Sequence, residues 1–318
     1  MLRTVAVPLD GSDLAERALP YAVRLAQVRH GQLLLLRSAL AAPPSGFDWE
    51  RQQVAAVEEA EQYLAGLAER LSPHVPVVFA VPYGRAPVEI LEAVRRFGAD
   101  VVVMATHGRT GLAHLVDGSV AEAVLATSTV PVFLVQARAC EAAAAPFDPA
   151  AVRLLVPLDG SAFAEAALPV AVELLGPTGK LVLVRVVAPA EHAKRDERGQ
   201  VIAYLDQVQG ALEREAIDYL RAVGRQLAQD YPGIQVRTDI RVGDPAGGIA
   251  AVARDRLADL IVMATHGRTG LRRAVLGSAT GAVLRASSTS LLLVRPPRPS
   301  DQQTKGAEAV APGMVVTF

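Results

Sequence analysis

The chain has little cysteine, little net charge and no long apolar run. Its single cysteine, Cys140, excludes a disulfide within the chain and indicates a reducing compartment. The 32 basic and 33 acidic residues nearly cancel, so no global field attracts nucleic acid or anionic lipid. The apolar runs 33–36 and 101–105 are far shorter than a bilayer span, and Asp10 and Asp13 come too early for a signal peptide. We therefore expect a soluble cytoplasmic protein that binds neither nucleic acid nor membranes.

Several catalytic motifs are also missing. Neither Gly-x4-Gly-Lys-(Ser/Thr) nor Gly-x-Gly-x-x-Gly after a first strand occurs, which argues against P-loop nucleoside triphosphatases and dinucleotide oxidoreductases. His107 and His266 have no second histidine or cysteine at metal-ligand spacing, and no serine-histidine-acid order recurs. We expect no catalytic residues and no metal ligands. Each of these two histidines is instead expected to make a hydrogen bond that orients its loop.

The chain does contain two copies of one unit. Residues 104–112 recur letter for letter as 263–271, and residues 7–12 recur as 156–161. The spacing between the copies is far longer than a solenoid repeat of roughly 20–50 residues, so each copy is a whole domain. A length of 318 residues also fits about two domains. We predict domains at 1–137 and 151–296, an Ala-rich linker at 138–150, and a tail at 297–318 whose composition favours disorder.

Strand and helix patterns alternate along both copies. Apolar runs rich in β-branched residues predict strands buried on both faces, and helical periodicity appears between them. This alternation implies right-handed parallel crossovers, so each half is predicted to be a doubly wound α/β domain with a five-stranded parallel sheet flanked by helices. The predicted strands are 4–9, 33–36, 75–81, 101–105 and 130–135, then 152–158, 181–187, 234–241, 260–264 and 290–294. The predicted helices are 14–29, 49–71, 87–97 and 119–127, then 162–175, 201–229, 246–256 and 278–286. The second copy carries about ten extra residues, which we expect in its long helix.

Both repeated motifs follow predicted strands at the carboxyl edge, where open α/β sheets bind their ligands. Asp10 and Asp159 end the first strand of each copy, and a glycine loop follows each fourth strand. Glycines allow positive φ and a close backbone approach, and a Gly-Ser pair that opens a helix forms a ready anion site. Such a loop can wrap a polyphosphate. The loops read Gly108-x9-Gly118-Ser119 and Gly267-x9-Gly277-Ser278.

The same residues also have a purely structural interpretation. The glycines can make tight turns, and Ser119 and Ser278 can be helix N-caps. Asp10 and Asp159 can cap the first helix with their neighbours, either instead of binding a ligand or as well. The spacing after the fourth strand favours ligand binding by the loops, whereas the two aspartates leave both roles open.

These residues resemble those of a known family. Each half is similar to a universal stress protein domain from its first strand to its fifth, and the whole chain resembles a tandem universal stress protein. The nucleotide-binding branch of that family has Gly-x2-Gly-x9-Gly-(Ser/Thr) after the fourth strand and an aspartate after the first. Ala105 and Ala264 stand here in place of the first glycine of that motif.

The resemblance implies a ligand and a role. It implies ATP, with Mg²⁺ held by the phosphates, and a stress-response protein that binds or regulates rather than catalyses. Asp10 and Asp159 would contact the adenine region, and the later glycines and serines would hold phosphates and ribose. Two alternatives remain, a slow ATPase and an interaction module that does not bind nucleotide. The second remains because some members of the family do not bind ATP. The implied binding residues are Asp159, Val186, Ala264, Gly267, Arg268, Gly277 and Ser278, with Asp10, Ala105, Gly108, Gly118 and Ser119 as their first-half counterparts.

The two implied sites are not equal in sequence. A carboxylate before the glycine of a phosphate turn competes for the helix N-terminus and repels a triphosphate, whereas arginines attract one. An apolar residue after the second strand suits an adenine, as the family usually has. The second half has Arg268, Arg272, Arg273 and Val186 at these positions, and the first half has Arg109, Ala113, His114, Asp117 and Ser38. We therefore predict that the second half is the better nucleotide site.

The last strand of each half has consequences for assembly. Residues 130–135 and 290–294 are apolar and expected at sheet edges, which invite pairing with another strand. We predict that the halves form an intramolecular pseudo-dimer through these strands, around a pseudo-two-fold axis, and that a further homodimer can form.

Overall fold

The computed structural model describes residues 2–40, 49–106, 119–136, 152–195, 201–265, 278–296 and 315–317. These residues group into two compact units. Unit 1 contains the described residues up to 136, together with 265, 290–296 and 315–317. Unit 2 contains the described residues of 152–264 and 278–289.

The first half of the chain alternates strands and helices as its hydrophobic pattern predicts. Its elements are β1 Thr4–Pro8, α1 Asp13–Glu16, α2 Leu19–Val28, β2 Gln32–Leu36, α3 Trp49–Leu71, β3 Val77–Val81, α4 Ala86–Arg96, β4 Val101–Thr106, α5 Ser119–Thr127 and β5 Val132–Gln136.

The second half repeats this order with one addition. Its elements are β6 Arg153–Pro157, α6 Ala162–Glu165, α7 Leu168–Leu175, β7 Gly179–Val187, β8 Lys194–Arg195, β9 Val201–Ala203, α8 Leu205–Asp230, β10 Ile234–Val242, α9 Pro245–Asp255, β11 Leu260–Ala264, α10 Ser278–Ala286 and β12 Ser290–Val294. The short strand β13, Val315–Thr317, follows.

The strand order places a topological switch beside the first strand of each unit. In unit 1, β1 lies between β2 and β4, β3 follows β2, and β5 follows β4, all parallel. In unit 2, β6 lies between β7 and β11, and β10 follows β7, again all parallel. The predicted fold class is therefore confirmed as α/β, with a mostly parallel sheet flanked by helices. The crevice at such a switch is the usual ligand position of an open α/β sheet.

Two further strands complete the sheet of unit 1. The last strand of the second half, β12, pairs with β5 in antiparallel register, with Leu292 opposite Phe133. At the other edge, β13 pairs with β3 in parallel. Strand β13 lies in the tail 297–318, whose composition favours disorder. The antiparallel pair is bridged by a hydrogen bond from the Gln136 amide to Ser290 Oγ, at 3.3 Å.

The core sits between the sheet and its helices, and the central strands are buried on both faces. Leu33–Leu36 of β2 and Leu154–Val156 of β6 are at most 1% exposed. Each fully buried aliphatic side chain of this kind contributes about 1.5–3 kcal/mol of transfer free energy. On the helix side, Tyr21 packs edge-on against Phe133 with ring centroids 5.8 Å apart.

The first helix of each half is broken where a single helix over 14–29 and 162–175 is expected. The chain forms the single turns α1 and α6, and new helices then begin at Leu19 and Leu168. Pro20 and Pro169 lie in the first turn of those new helices. In a continuous helix the residues at Pro20 and Pro169 would donate N–H bonds to the carbonyls of Glu16 and Glu165; proline has no N–H and its ring clashes with that carbonyl, so the break follows from the sequence.

The extra residues of the second half lie mainly before its long helix. Strands β8 and β9 form a small antiparallel pair, and α8 begins only at Leu205. The expected helix start at residue 201 is therefore wrong, because residues 201–203 belong to β9. Helix α8 is itself only slightly longer than α3, with 26 against 23 residues.

Candidate functional site

The candidate site residues that the structure describes lie at the carboxyl edge of each parallel sheet. Asp10 and Asp159 lie just past the ends of β1 and β6. Ala105 is the second-last residue of β4, and Ala264 is the last residue of β11. Because parallel strands end at the same edge, the topology brings these residues to the switch point of each unit.

Each aspartate braces a serine that caps the following helix. Asp10 Oδ1 accepts hydrogen bonds from the Ser12 amide at 2.9 Å and from Ser12 Oγ at 2.6 Å. Ser12 Oγ in turn accepts from the Ala15 amide at 3.2 Å and so caps α1. The cap is thus the serine, and the aspartate holds it in place.

Unit 2 builds the same turn with nearly the same distances. Asp159 Oδ1 accepts from the Ser161 amide at 2.9 Å and from Ser161 Oγ at 2.6 Å, and Ser161 Oγ accepts from the Ala164 amide at 3.1 Å. In both units the hydrogen bonds use Oδ1, and Oδ2 accepts none from the part of the chain that the structure describes. Because both aspartates are exposed, Oδ2 can accept a hydrogen bond from an amino or hydroxyl group of a ligand.

The turn requires a glycine between the aspartate and the serine. Gly11 has φ +86° and Gly160 has φ +91°, a region that other residues rarely adopt. An arginine lies against each glycine. A Cβ on Gly11 would lie 3.4 Å from Arg37 Nη1, and one on Gly160 would lie 3.6 Å from Arg185 Nη1.

Each of these arginines belongs to a cluster that the sequence analysis missed. Arg37 immediately follows β2, packs over the ring of Tyr63 on α3 at 5.0 Å, and pairs with Glu59 at 2.8 Å. The Tyr63 hydroxyl donates a hydrogen bond to Glu16 Oε1, at the end of α1, with 3.0 Å between the two oxygens. We call this set the turn-support cluster; it comprises Glu16, Arg37, Glu59 and Tyr63 in unit 1.

Unit 2 repeats the turn-support cluster residue for residue. Arg185 packs over the ring of Tyr219 at 5.3 Å and pairs with Glu215 at 3.5 Å. Tyr219 donates to Glu165 Oε1 at 2.7 Å. The signal that could have revealed the cluster is the recurrence of these four residue types at matching places in both copies.

The cluster shifts the pKa values of its neighbours. Burial raises the pKa of the Asp159 carboxyl, but the hydrogen bonds from Ser161 and the charge of Arg185 outweigh burial, so the pKa lies below its ordinary value. Burial, the hydrogen bond to the glutamate and its negative charge all raise the pKa of Tyr63 and Tyr219. Both phenols therefore keep their protons, and Asp159 is ionised at neutral pH.

Most of the phosphate-loop residues lie outside the described residues. These are Gly108, Gly118, Gly267, Arg268 and Gly277, together with the two histidines and the unequal loop charges. Ser119 and Ser278 are the first residues of α5 and α10, where an N-terminal phosphate site would need them. Among the described residues, no cluster of acidic, histidine or cysteine side chains could hold a metal ion. None of the described helices is both long enough and apolar enough to span a membrane.

The model of the universal stress protein family matches residues 1–136 and 152–295. The chain belongs to the universal stress protein family. Its two matched segments correspond to the two copies that the sequence repeats.

Relatives of the same family cover much of this chain. A universal stress protein of Mycobacterium tuberculosis is 29% identical over 248 residues, which is 78% of this chain and 77% of that protein. One of Methanocaldococcus jannaschii is 28% identical over 154 residues, 45% of this chain and 94% of that protein. A crystal structure of a universal stress protein from Archaeoglobus fulgidus covers 93% of this chain and 99% of its own, with a TM-score of 0.68 at 22% identity, and so supports the fold.

The two universal stress protein domains differ beside the second strand. Ser38 Oγ donates to the Gly84 carbonyl at 2.6 Å, at the turn before α4. Its counterpart Val186 packs against the first turn of α9, where a Cβ on Gly248 would lie 2.8 Å from Val186 Cγ2. Both side chains are half-buried. The polar residue therefore contacts backbone in unit 1, and the apolar one contacts a helix in unit 2.

The domains also differ between the third strand and the helix that follows. Unit 1 has a cavity of about 310 Å³ there, lined by Ala80, Pro82, Tyr83, Glu89, Glu92, Ala93, Arg96 and Phe97. In unit 2 the residue at the position of Ala80 is Asp239, whose side chain is 4% exposed. Arg256, at the position of Phe97, donates to Asp239 Oδ2 at 2.9 and 2.7 Å, and Arg241 donates to Oδ1 at 2.7 Å.

Proposed function

We propose that this universal stress protein binds an adenine nucleotide, ATP with Mg²⁺ held by its phosphates, and acts as a binding or regulatory module rather than an enzyme. The observation that carries the proposal is the duplicated Asp-Gly-Ser turn at the switch point of each sheet. In both copies one carboxylate oxygen is fixed by the serine, and the other accepts no hydrogen bond from the described residues.

The chemistry of this edge suits a nucleotide. A carboxylate oxygen at the end of the first strand can accept a hydrogen bond from an amino group of a base or a hydroxyl of a sugar. On the other side of the switch point, α5 and α10 begin at Ser119 and Ser278, and the amides of a helix N-terminus attract phosphate. The glycine sequences before them, with Gly118 and Gly277, allow a close backbone approach.

The same proposal assigns the tighter site to the second half. Arg268, Arg272 and Arg273 bring positive charge to its phosphate loop, whereas the first-half loop has Asp117 directly before its glycine. The position after the second strand is apolar in unit 2, at Val186, and polar in unit 1, at Ser38, whose hydroxyl is already used by Gly84.

The bound species is tested by mass spectrometry of ligand released from freshly purified full-length protein, followed by titration with Mg-ATP. ATP in the released fraction and binding in the titration support the proposal. Released ADP with accumulating phosphate would replace it with slow hydrolysis, which needs a positioned water and a charge clamp. No released nucleotide and no binding would favour an interaction module instead.

The phosphate turn is tested by substitution in the second half. Gly277→Val should block the backbone approach and abolish binding there, and Ser278→Ala should weaken it by about 1–2 kcal/mol through a lost hydrogen bond. Gly118→Val is the matched control and should leave the second-half site unchanged. Equal ATP affinity of Gly277→Val and the parent would mean that these glycines only shape a turn.

We also propose that the two halves form an intramolecular pseudo-dimer through their last strands. The antiparallel pairing of β5 with β12 supports this, because β12 comes from the second half of the sequence. Each half expressed alone should then expose an unpaired apolar edge and form dimers or aggregates. Two monomeric halves without affinity for each other, seen by size-exclusion chromatography with light scattering, would contradict it.

A further inference from the structure

The turn-support cluster connects three elements at the edge where each nucleotide site is proposed. Its arginine comes from the end of β2 or β7, its tyrosine from the middle of α3 or α8, and its first glutamate from α1 or α6. The arginine side chains are about one-fifth exposed, at 19% for Arg37 and 21% for Arg185. The second glutamates, Glu59 and Glu215, are largely exposed and therefore contribute little to the free energy of unfolding.

The guanidinium acts on the turn in two ways. It lies against the glycine of positive φ, at a distance where an added Cβ would be in van der Waals contact with the guanidinium. In unit 2 the charge of Arg185 also helps to hold the pKa of the Asp159 carboxyl below its ordinary value. The tyrosine ring packs against the guanidinium, and the hydrogen bond from the tyrosine hydroxyl to Glu16 or Glu165 fixes the ring relative to the first helix.

We infer that Arg37 and Arg185 are positioning residues for nucleotide binding, each holding the Asp-Gly-Ser turn of its own unit so that the second carboxylate oxygen faces the ligand. The inference rests on the proposed function, because it concerns the aspartate of that site. Neither arginine belongs to the glycine-loop motif that carries the family resemblance. The same contacts in two independently packed units indicate a requirement of the turn itself rather than a chance surface pair.

The test is titration of the full-length protein with Mg-ATP, in the parent and in Arg185→Met, which keeps the apolar stem but removes the charge and the planar group. Binding at the second-half site should weaken about tenfold, which corresponds to ~1.4 kcal/mol. Arg185→Lys should recover part of the affinity through its charge. Arg37→Met should affect only the first-half site.

A control variant separates positioning from general stability. Arg153 lies at the opposite end of β6 from Asp159, where it donates to the Leu257 carbonyl at 3.2 Å. Arg153→Met should lower the melting temperature without changing ATP affinity. In Arg185→Met without ligand, hydrogen–deuterium exchange should rise at the amides of Ser161 and Ala164, which the turn protects, and should stay unchanged there in Arg153→Met.

The outcomes distinguish this inference from the proposed function. Binding of Mg-ATP by the parent, unchanged affinity in Arg185→Met and a lowered melting temperature would overturn the positioning role and leave the proposed function intact. A parent protein that binds no adenine nucleotide would overturn both. If Arg185→Met does not fold, Arg185→Gln, which also removes the charge, takes its place, and parent-like affinity and exchange in that variant would overturn the inference.

Discussion

In unit 1 the space between β3 and α4 is an apolar cavity, whereas in unit 2 the matching space between β10 and α9 holds a buried carboxylate between two arginines. The hydrogen bonds of the Asp-Gly-Ser turns and the tyrosine–glutamate hydrogen bonds of the turn-support clusters, by contrast, agree between the units to within about 0.3 Å. Only the exposed arginine–glutamate pairs differ more, at 2.8 Å for Arg37–Glu59 and 3.5 Å for Arg185–Glu215. The comparison shows which parts of the two copies have stayed equal. The turn at the switch point is nearly the same in both units. The outer corner, by which we mean the space between β3 and α4 or between β10 and α9, has diverged.

The largest expected effect comes from making the outer corner of unit 2 resemble unit 1. Arg256→Phe copies Phe97 and removes two hydrogen bonds from a buried carboxylate, leaving Asp239 with Arg241 alone. The free energy of unfolding should fall by about 2–3 kcal/mol. Chemical denaturation followed by far-ultraviolet circular dichroism measures the loss.

A second substitution tests whether the carboxylate causes that loss. Asp239→Ala copies Ala80, and the double variant Asp239→Ala/Arg256→Phe no longer buries an under-paired charge. It should be more stable than Arg256→Phe alone, so the two changes should be strongly non-additive. A double variant that loses the sum of the two single effects would show that the ion pairs act independently.

The two turns should respond equally to the same substitution. Gly11→Ala and Gly160→Ala each place a side chain on a residue with φ near +90°, at a cost of about 1–2 kcal/mol. Neither new Cβ meets an atom closer than 3.4 Å, so backbone strain rather than collision is the cause. Thermal melts of both variants measure it. Clearly unequal shifts in melting temperature would show that the two turns are not equivalent.

The loop charges should account for much of the difference in affinity between the halves. Asp117→Leu copies Leu276 and removes the carboxylate before the phosphate turn, so the first-half site should bind ATP about tenfold more tightly, ~1.4 kcal/mol. Leu276→Asp should weaken the second-half site. Calorimetric titration checks both, and unchanged first-half affinity in Asp117→Leu would mean that these charges lie too far from the phosphates to matter.

The smallest expected effect concerns the residue after the second strand. Ser38→Val copies Val186 and removes the hydrogen bond to the Gly84 carbonyl, which should lower the free energy of unfolding by about 1 kcal/mol. It also offers an apolar surface to an adenine, so first-half ATP affinity should rise slightly even as the melting temperature falls. A fall in both would place the serine in a purely structural role.

The sequence predicts the strands, the parallel topology and the edge that holds the aspartates, because apolar runs and crossovers are local signals. The turn-support cluster escaped prediction, since Arg37 and Tyr63 are far apart in the chain and meet only when α3 packs on β2. Asp239 shows another limit. It falls on the polar positions of an alternating strand, yet Arg241 and Arg256 allow it to be buried.

Two nearly equal turns are proposed to carry unequal nucleotide sites, and this asymmetry can be measured by titrating full-length protein with Mg-ATP in the parent, in Asp159→Asn and in Asp10→Asn. Each substitution keeps the size of the side chain but removes its charge and replaces one acceptor oxygen with an NH2 donor. Because Asp10 follows β1 of unit 1 and Asp159 follows β6 of unit 2, each variant reports on one site. We expect one tighter site per chain, which is lost or strongly weakened in Asp159→Asn and retained in Asp10→Asn. Two sites of equal affinity in the parent, or a tighter site that Asp10→Asn removes, would contradict it.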